Sequence, residues 1–220
     1  MNDIEYYRPT TIDQALSLLN HHRNTACLFH GGTDLLVRFQ KGSLKAHVLI
    51  DTKQIADIPD DISIMGDRVI IGSRVTLTEI VTNPLIIERF PSLRTAASSV
   101  GSVQIRNRAT LTGNLCNASP AADTIPVLMV HAAQIQISST AGTRFVPIES
   151  FILGPGKTSC LPEEIVTAIV IPLPKSPFSA AFRRLTRIRG VDLAVVNTAC
   201  AIDAFSQVTF SLGAAGPKPV

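Results

Sequence analysis

The first fifty residues alternate helix, strand, helix and strand, which limits the start of the chain to a small layered α/β unit. Tyr6-Tyr7-Arg8-Pro9-Thr10-Thr11 leads into a stretch where Ile12, Ala15, Leu16 and Leu19 share one helical face. Thr11 and Gln14 stand there at capping-box spacing. Ala26-Cys27-Leu28-Phe29 is a short apolar run with the character of a buried strand. It ends at Gly31-Gly32, and a second helix begins at Thr33 or Asp34, carrying Leu35, Leu36 and Phe39. Val48-Leu49-Ile50 is the next buried strand.

Beyond residue 60 the texture changes. Residues 62–65 and 69–71 flank Gly66-Asp67 and predict a hairpin with a tight turn. Residues 76–81, 92–100 and 124–132 read as helices, and 110–126 as a polar segment of small residues. A second hairpin is expected from 134–138 and 143–147, and 165–171 is a strand stopped by Pro172-Leu173-Pro174. Paired strands with interspersed helices make this part an antiparallel α+β unit. Pro172, Pro174 and Pro177 mark a stiff connector, after which 180–189 and 191–202 read as strands.

Of 220 residues, 45% are hydrophobic and 17% charged, with a net charge of +3. That balance buries a sizeable core and excludes an intrinsically disordered chain. Charge so small and scattered gives no nucleic-acid footprint, and aromatic residues at 5%, without Trp, leave few stacking platforms. No apolar run approaches a membrane span, and Met1-Asn2-Asp3-Ile4-Glu5 lacks the core of a signal peptide, so a cytoplasmic location is expected. Cys27, Cys116, Cys160 and Cys200 show no CxxC spacing and no paired histidine. Buried, reduced thiols are therefore expected, and no metal site. His21, His22, His47 and His131 show no ligand spacing either.

Two segments carry chemistry. His30-Gly31-Gly32-Thr33-Asp34-Leu35-Leu36 sets a glycine pair between a strand and a helix start. Glycine lets the backbone approach a ligand closely, and amides at a helix start suit a phosphate. GxxxxGK[ST] and GxGxxG are both absent, and an ordinary strand–turn–helix capped by Thr33 or Asp34 fits the same residues. The second segment, residues 105–124, contains Thr110-Leu111-Thr112-Gly113-Asn114 and Asn117-Ala118-Ser119-Pro120-Ala121-Ala122-Asp123-Thr124. Hydroxyl and amide groups this dense in a greasy chain can satisfy a polyhydroxylated, phosphorylated ligand. A plain surface loop would carry more charge and bulkier side chains.

In this order the segments resemble the FAD-binding medium subunit of the molybdenum hydroxylases, the xanthine dehydrogenase and carbon monoxide dehydrogenase group. The match is collinear over nearly the whole chain. It runs through Tyr7-Arg8-Pro9, Gly31-Gly32-Thr33-Asp34-Leu35, Leu49-Ile50-Asp51, Ile71-Gly72-Ser73, Gln104-Ile105-Arg106-Asn107 and Ile169-Val170-Ile171-Pro172. The resemblance implies an α+β fold: a two-subdomain FAD-binding domain of the PCMH type over 1–175, with subdomains of about 1–55 and 56–175. An α+β C-terminal domain would begin over 178–220, with most of it expected to be missing. FAD would lie between the subdomains.

The resemblance also implies the site. Phe29, His30, Gly31, Gly32, Thr33, Asp34, Leu35 and Leu36 correspond to one pyrophosphate clamp; Thr110, Leu111, Thr112, Gly113 and Asn114 correspond to the other. Asp34 reads as a helix cap, since a free carboxylate would repel a diphosphate. Asp123 matches an FAD-contacting position and is expected to accept from ribityl or ribose hydroxyls. Val100 and Val166 match apolar positions of the pocket, and Arg184 stands where the family has a lysine. Two residues depart from the pattern. Thr112 replaces one glycine of a pair, so its Cβ is expected to obstruct close approach to phosphate. His30 replaces a small residue and reads as packing or a phosphate contact, not as a covalent flavin attachment. Arg183, Arg184, Arg187 and Arg189 form a positive cluster that fits either a solvated strand face or a contact with FAD or an acidic partner.

By the same resemblance the chain is an oxidoreductase subunit without a catalytic acid or base of its own. FAD would accept electrons from the iron–sulfur clusters of a 2Fe-2S small subunit. A molybdopterin-binding large subunit would oxidise the substrate, and NAD or another acceptor would take the electrons. Two other readings remain open on the residues: a stand-alone flavin oxidoreductase of this fold, or a non-catalytic remnant in which 193–201 is an exposed edge strand.

Overall fold

The computed structural model describes residues 4–44, 46–174 and 177–220. Thr11 has the extended backbone of an N-cap and accepts from the Gln14 amide, so helix α1 (Ile12–His22) starts on a satisfied donor. The return bond is displaced by one residue, because Gln14 Oε1 accepts from the Thr10 amide at 2.9 Å. Ala15, Leu16 and Leu19 turn inward onto a parallel sheet of β1 (Glu5–Tyr7), β2 (Ala26–Phe29) and β3 (Val48–Asp51), in the order β1-β3-β2. The helix α2 (Leu35–Gln40) links β2 to β3.

The expected hairpin follows as β4 (Ile62–Met65) and β5 (Arg68–Gly72). Met65 pairs with Arg68 across a turn in which Gly66 takes φ +61°. Six helices follow: α3 (Leu77–Thr82), α4 (Pro84–Arg89), α5 (Pro91–Ser99), α6 (Val103–Arg106), α7 (Leu111–Cys116) and α8 (Thr124–Val130). The polar segment of small residues expected at 110–126 contains a helix that the sequence reading did not assign. Thr110 has extended backbone and its hydroxyl accepts from the Gly113 amide at 2.9 Å, so it caps a helix that the small residues disguise. Next come β6 (Gln134–Ser139), β7 (Gly142–Pro147), α9 (Ile148–Phe151) and the short pair β8 (Ile152–Gly154) and β9 (Lys157–Thr158). Finally β10 (Ile165–Pro172) inserts at the centre of an antiparallel sheet ordered β4-β5-β10-β6-β7.

Neighbouring residues of a strand face opposite ways, and β10 uses this to join two cores. Ile165 fills the smaller core with Ile50, Ile55 and Ile58. Val166 and Ile169 fill the larger one with Leu111, Leu128 and Phe151.

The last sheet holds β11 (Ser179–Leu185), β12 (Val196–Ile202) and β13 (Val208–Gly213), with β12 in the middle. Two expectations change. The strands are shorter than 180–189 and 191–202, because the stretch between β11 and β12 is a loop held by the Arg187–Asp192 ion pair at 2.8 Å. Nor is 193–201 an exposed edge: β12 is paired on both sides, and its Asn197, Ala199 and Ala201 are buried. Phe182, Ala199 and Ala201 belong to the larger core, so this sheet shares its apolar interior with the helices. The expected connector at 172–177 includes residues 175 and 176, and the N-terminal reading includes residues 1–3; these positions lie outside the described residues. Among the described residues, no helix is long and apolar enough to cross a membrane.

One buried histidine makes this core sensitive to pH. His131 is 5% exposed, sits 3.0 Å from the Ser92 hydroxyl, and packs against the rings of Phe90 and Phe178. Burial lowers its pKa from the ordinary 6.5 to about 4. Between those values the unfolded chain takes up a proton that the folded chain refuses. Stability is therefore complete above pH 6.5 and falls as the pH drops towards about 4. This residue accounts for roughly 3 kcal/mol of that loss. Urea denaturation across this window is expected to show the slope, and His131→Gln, which cannot take up the proton, is expected to reduce it but not remove it, because burial lowers the His30 pKa to about 4 as well.

Candidate functional site

A cavity of about 860 Å³ opens where the parallel sheet, the helices and the C-terminal sheet meet. Its size lies at the upper end of the range for small-molecule and cofactor sites. The loop after β2 forms one wall, the end of α5 and the start of α7 a second, and β11 with its following loop a third.

The glycine pair sets the geometry of the first wall. A Cβ on Gly31 would lie 2.1 Å from the Arg108 carbonyl oxygen, so only glycine lets this loop meet the backbone before α7. Gly32 takes φ +74°, and a Cβ there would strike the Phe29 ring at 2.1 Å. The amides of Gly31, Gly32, Thr33 and Asp34 find no acceptor among the described residues, which leaves them as donors for a ligand. Asp34 occupies the cap position of α2, but the expected cap bond is absent. Its own backbone is already helical, which turns the carboxylate away from the amides it would cap. His30 lines the cavity with its Nδ1 3.0 Å from the Thr52 hydroxyl. Burial, followed by the Lys53 ammonium, lowers its pKa to about 4, so it is a neutral dipole at physiological pH.

Thirteen of the residues expected at the site line this one cavity: His30, Gly31, Gly32, Thr33, Asp34, Leu35, Val100, Thr110, Gly113, Asn114, Asp123, Val166 and Arg184. Four do not. The Phe29 ring lies under Gly32, with the Lys53 ammonium 3.8 Å from its centroid. Leu36 is 43% exposed on the outer side of α2, and Leu111 is in the larger core. Thr112 is 1% exposed and does not line the cavity, so its Cβ does not obstruct the approach to phosphate. Its hydroxyl has no partner, and nothing in the structure explains that.

Asp123 accepts three hydrogen bonds in the wall, as Glu164 does. Arg184 donates to the Asp123 carboxylate at 2.6 Å, Asn197 at 2.8 Å and Ser99 at 3.1 Å. A carboxylate offers about four acceptor positions, so about one is left for a ligand hydroxyl. Arg184 is likewise committed to Asp123. The expected arginine cluster is dispersed: Arg187 pairs with Asp192, and Arg183 points to the opposite face of β11 from Arg184.

Sequence reasoning missed the lining residues Ser99, Cys160 and Glu164, whereas Ile105, Cys116, Asn117 and Ser119 fall within the 105–124 segment read as ligand-binding without being singled out. The dense run of small polar residues at 114–124 was the signal for Asn117 and Ser119. Nothing local marks Glu164, whose carboxylate the Arg144 guanidinium holds below its usual pKa through bonds of 2.7 and 2.8 Å. The cysteine expectation is also corrected. Cys27, Cys116 and Cys160 are free and line the cavity, and Cys116 is exposed there. Burial pushes the Cys160 thiol up to about 12, so it stays protonated.

A glycine-clamped cavity between a parallel unit, an antiparallel unit and a third sheet defines a two-part cofactor-binding domain. The family model described as the FAD binding domain in molybdopterin dehydrogenase matches residues 2–174, and the chain belongs to that family. It is 32% identical to the xanthine dehydrogenase FAD-binding subunit of Escherichia coli O157:H7, over 98% of this chain and 75% of the relative. It is 30% identical to the nicotinate dehydrogenase FAD-subunit of Eubacterium barkeri, over 92% of this chain and 69% of the relative. Among solved structures, carbon monoxide dehydrogenase from Hydrogenophaga pseudoflava superposes with a TM-score of 0.94 at 26% identity, covering 99% of this chain and 77% of that one. The protein is thus an FAD-binding subunit of the molybdenum hydroxylase type. The residues present fit FAD: free loop amides suit its diphosphate, and Val100 and Val166 give apolar wall.

Two variants test this geometry. Gly31→Ala is expected to abolish FAD binding, read by flavin fluorescence quenching, because its Cβ must displace the Arg108 backbone. Asp123→Ala leaves Arg184 and Asn197 without their acceptor, and is expected to cost about 3 kcal/mol in urea denaturation.

Proposed function

We propose that this chain is the electron-relay subunit of a multi-subunit molybdenum hydroxylase, passing electrons from iron–sulfur clusters to NAD or another acceptor. The observation that supports this best is the donor set: unpaired amides of one subdomain and the Asn114 amide of the other line a single cavity. FAD, when bound, supplies the ability to exchange electrons singly and in pairs. The chain's own residues hold and orient it. The loop at Gly31–Asp34 and Asn114 donate to the diphosphate, and the neutral His30 adds a dipole without a competing charge. Val100 and Val166 exclude water from the apolar part of the cavity. The Asp123–Arg184 pair fixes the third wall.

The relatives are named as FAD-binding subunits and, in carbon monoxide dehydrogenase, as a medium chain. On that ground the reading includes a molybdopterin-binding large subunit and a 2Fe-2S small subunit as partners. It also includes a cytoplasmic location, a FAD-binding domain over 1–175 and the start of a second domain over 178–220.

The test is the visible absorption of the purified chain with added FAD, followed by denaturation. A bound flavin spectrum and release of free FAD are expected; no bound flavin would overturn the reading. Copurification with iron and molybdenum checks the partners, and a flavin-loaded chain that associates with neither favours a stand-alone flavin oxidoreductase.

A further inference from the structure

Asn114 can serve as a phosphate donor only if its amide faces the cavity the right way round. An asparagine side chain presents an acceptor oxygen on one side and two donor hydrogens on the other, and a half-turn exchanges them. Asn114 Oδ1 lies 2.7 Å from the hydroxyl of Thr124, the first residue of α8. Thr124 is 0% exposed, so its hydroxyl proton cannot be given to water. Asn114 Oδ1 is the only acceptor for that proton among the described residues. If the amide were reversed, Nδ2 would face the hydroxyl and the buried proton would have no acceptor. The cost of that unmade bond favours one orientation about ten-fold or more. In it, Nδ2 has no protein partner among the described residues and opens on the cavity that Asn114 lines.

We propose that Thr124 is a positioning residue. Its buried hydroxyl locks the Asn114 amide so that both donor hydrogens face the bound diphosphate and the oxygen does not. The proposal rests on the FAD reading for its ligand but not for the lock itself. Thr124 does not line the cavity.

Thr124→Val keeps the shape and removes the proton, freeing the amide to turn its oxygen towards the phosphates. FAD binding, followed by fluorescence quenching, is expected to weaken about ten-fold, equivalent to about 1.4 kcal/mol. Thr124→Ser is expected to restore it. In an Asn114→Ala background the valine substitution is expected to cost nothing further, because no amide remains to be oriented. Additive losses in the two backgrounds, or an unaltered affinity in the single variant, would overturn the proposal, since a packing role predicts additivity. Should the unmodified chain fail to bind FAD, the FAD reading falls but the lock is still measurable. In a nitrogen-labelled ligand-free sample, Thr124→Val is expected to shift the Asn114 side-chain amide resonances, and Thr124→Ser to return them. Resonances unchanged by Thr124→Val would refute the lock.

Discussion

The Asp123 carboxylate holds the C-terminal sheet in register with the helices. It is almost fully removed from water, and an ionised group in that position is tolerated only when its acceptor sites are filled. Its donors come from three separate elements: Ser99 at the end of α5, Arg184 on β11 and Asn197 on β12. The C-terminal sheet therefore cannot leave the helices without stranding a charge on each side. The same requirement reaches β13, since the space a Cβ would need at Gly213 is taken by Asn197 Oδ1 at 2.0 Å. One carboxylate thus ties the position of a whole sheet to the shape of the cavity wall.

The parallel unit is attached by different means. Its small apolar core takes Ile165 from the central strand of the antiparallel sheet, while the next residue, Val166, enters the other core and the cavity wall. A close backbone contact completes the join: Gly31 meets the Arg108 carbonyl at a point where a Cβ would be 2.1 Å away. Hydrophobic burial supplies the attraction, whereas this glycine sets how near the two backbones come. The cleft between the units can then be narrow enough for backbone amides, rather than long side chains, to reach a ligand.

The legible part of the sequence was the part governed by local chemistry. The α1 helix announced itself through Thr11 and its apolar spacing, β2 through four consecutive apolar residues, and the β4–β5 hairpin through Gly66-Asp67. The helix α7 was hidden because its cap, Thr110, stands among residues that also favour loops. Only the packing of Leu111 and Leu115 in the larger core makes the segment helical. β13 was missed although Val208-Thr209-Phe210-Ser211-Leu212 alternates apolar and polar residues in the manner of a strand, and it pairs with β12 along its length. At the site, residue order, through a family resemblance, singled out two loops whose residues line one cavity. It could not show that Thr112 points away from the cavity or that Asp123 and Arg184 are partners. Those facts depend on contacts between residues 61 positions apart.

The charge arrangement explains why a cavity with several ionisable side chains can accept a dianionic diphosphate. Asp123 is paired with Arg184, Glu164 with Arg144, and His30 is neutral. Asp192 is likewise paired with Arg187, while the Asp34 carboxylate is exposed and has no bonded cation among the described residues. The donors left open to a ligand include the backbone amides at Gly31–Asp34 and the Asn114 amide. Dipoles of this sort are effective because folding has already oriented them and removed them from competing water. They also discriminate by geometry, since a group that does not match their spacing leaves several unsatisfied at once. The buried threonine behind Asn114 belongs to the same logic: it makes the one rotatable amide in the set as fixed in direction as the backbone amides opposite it in the fold.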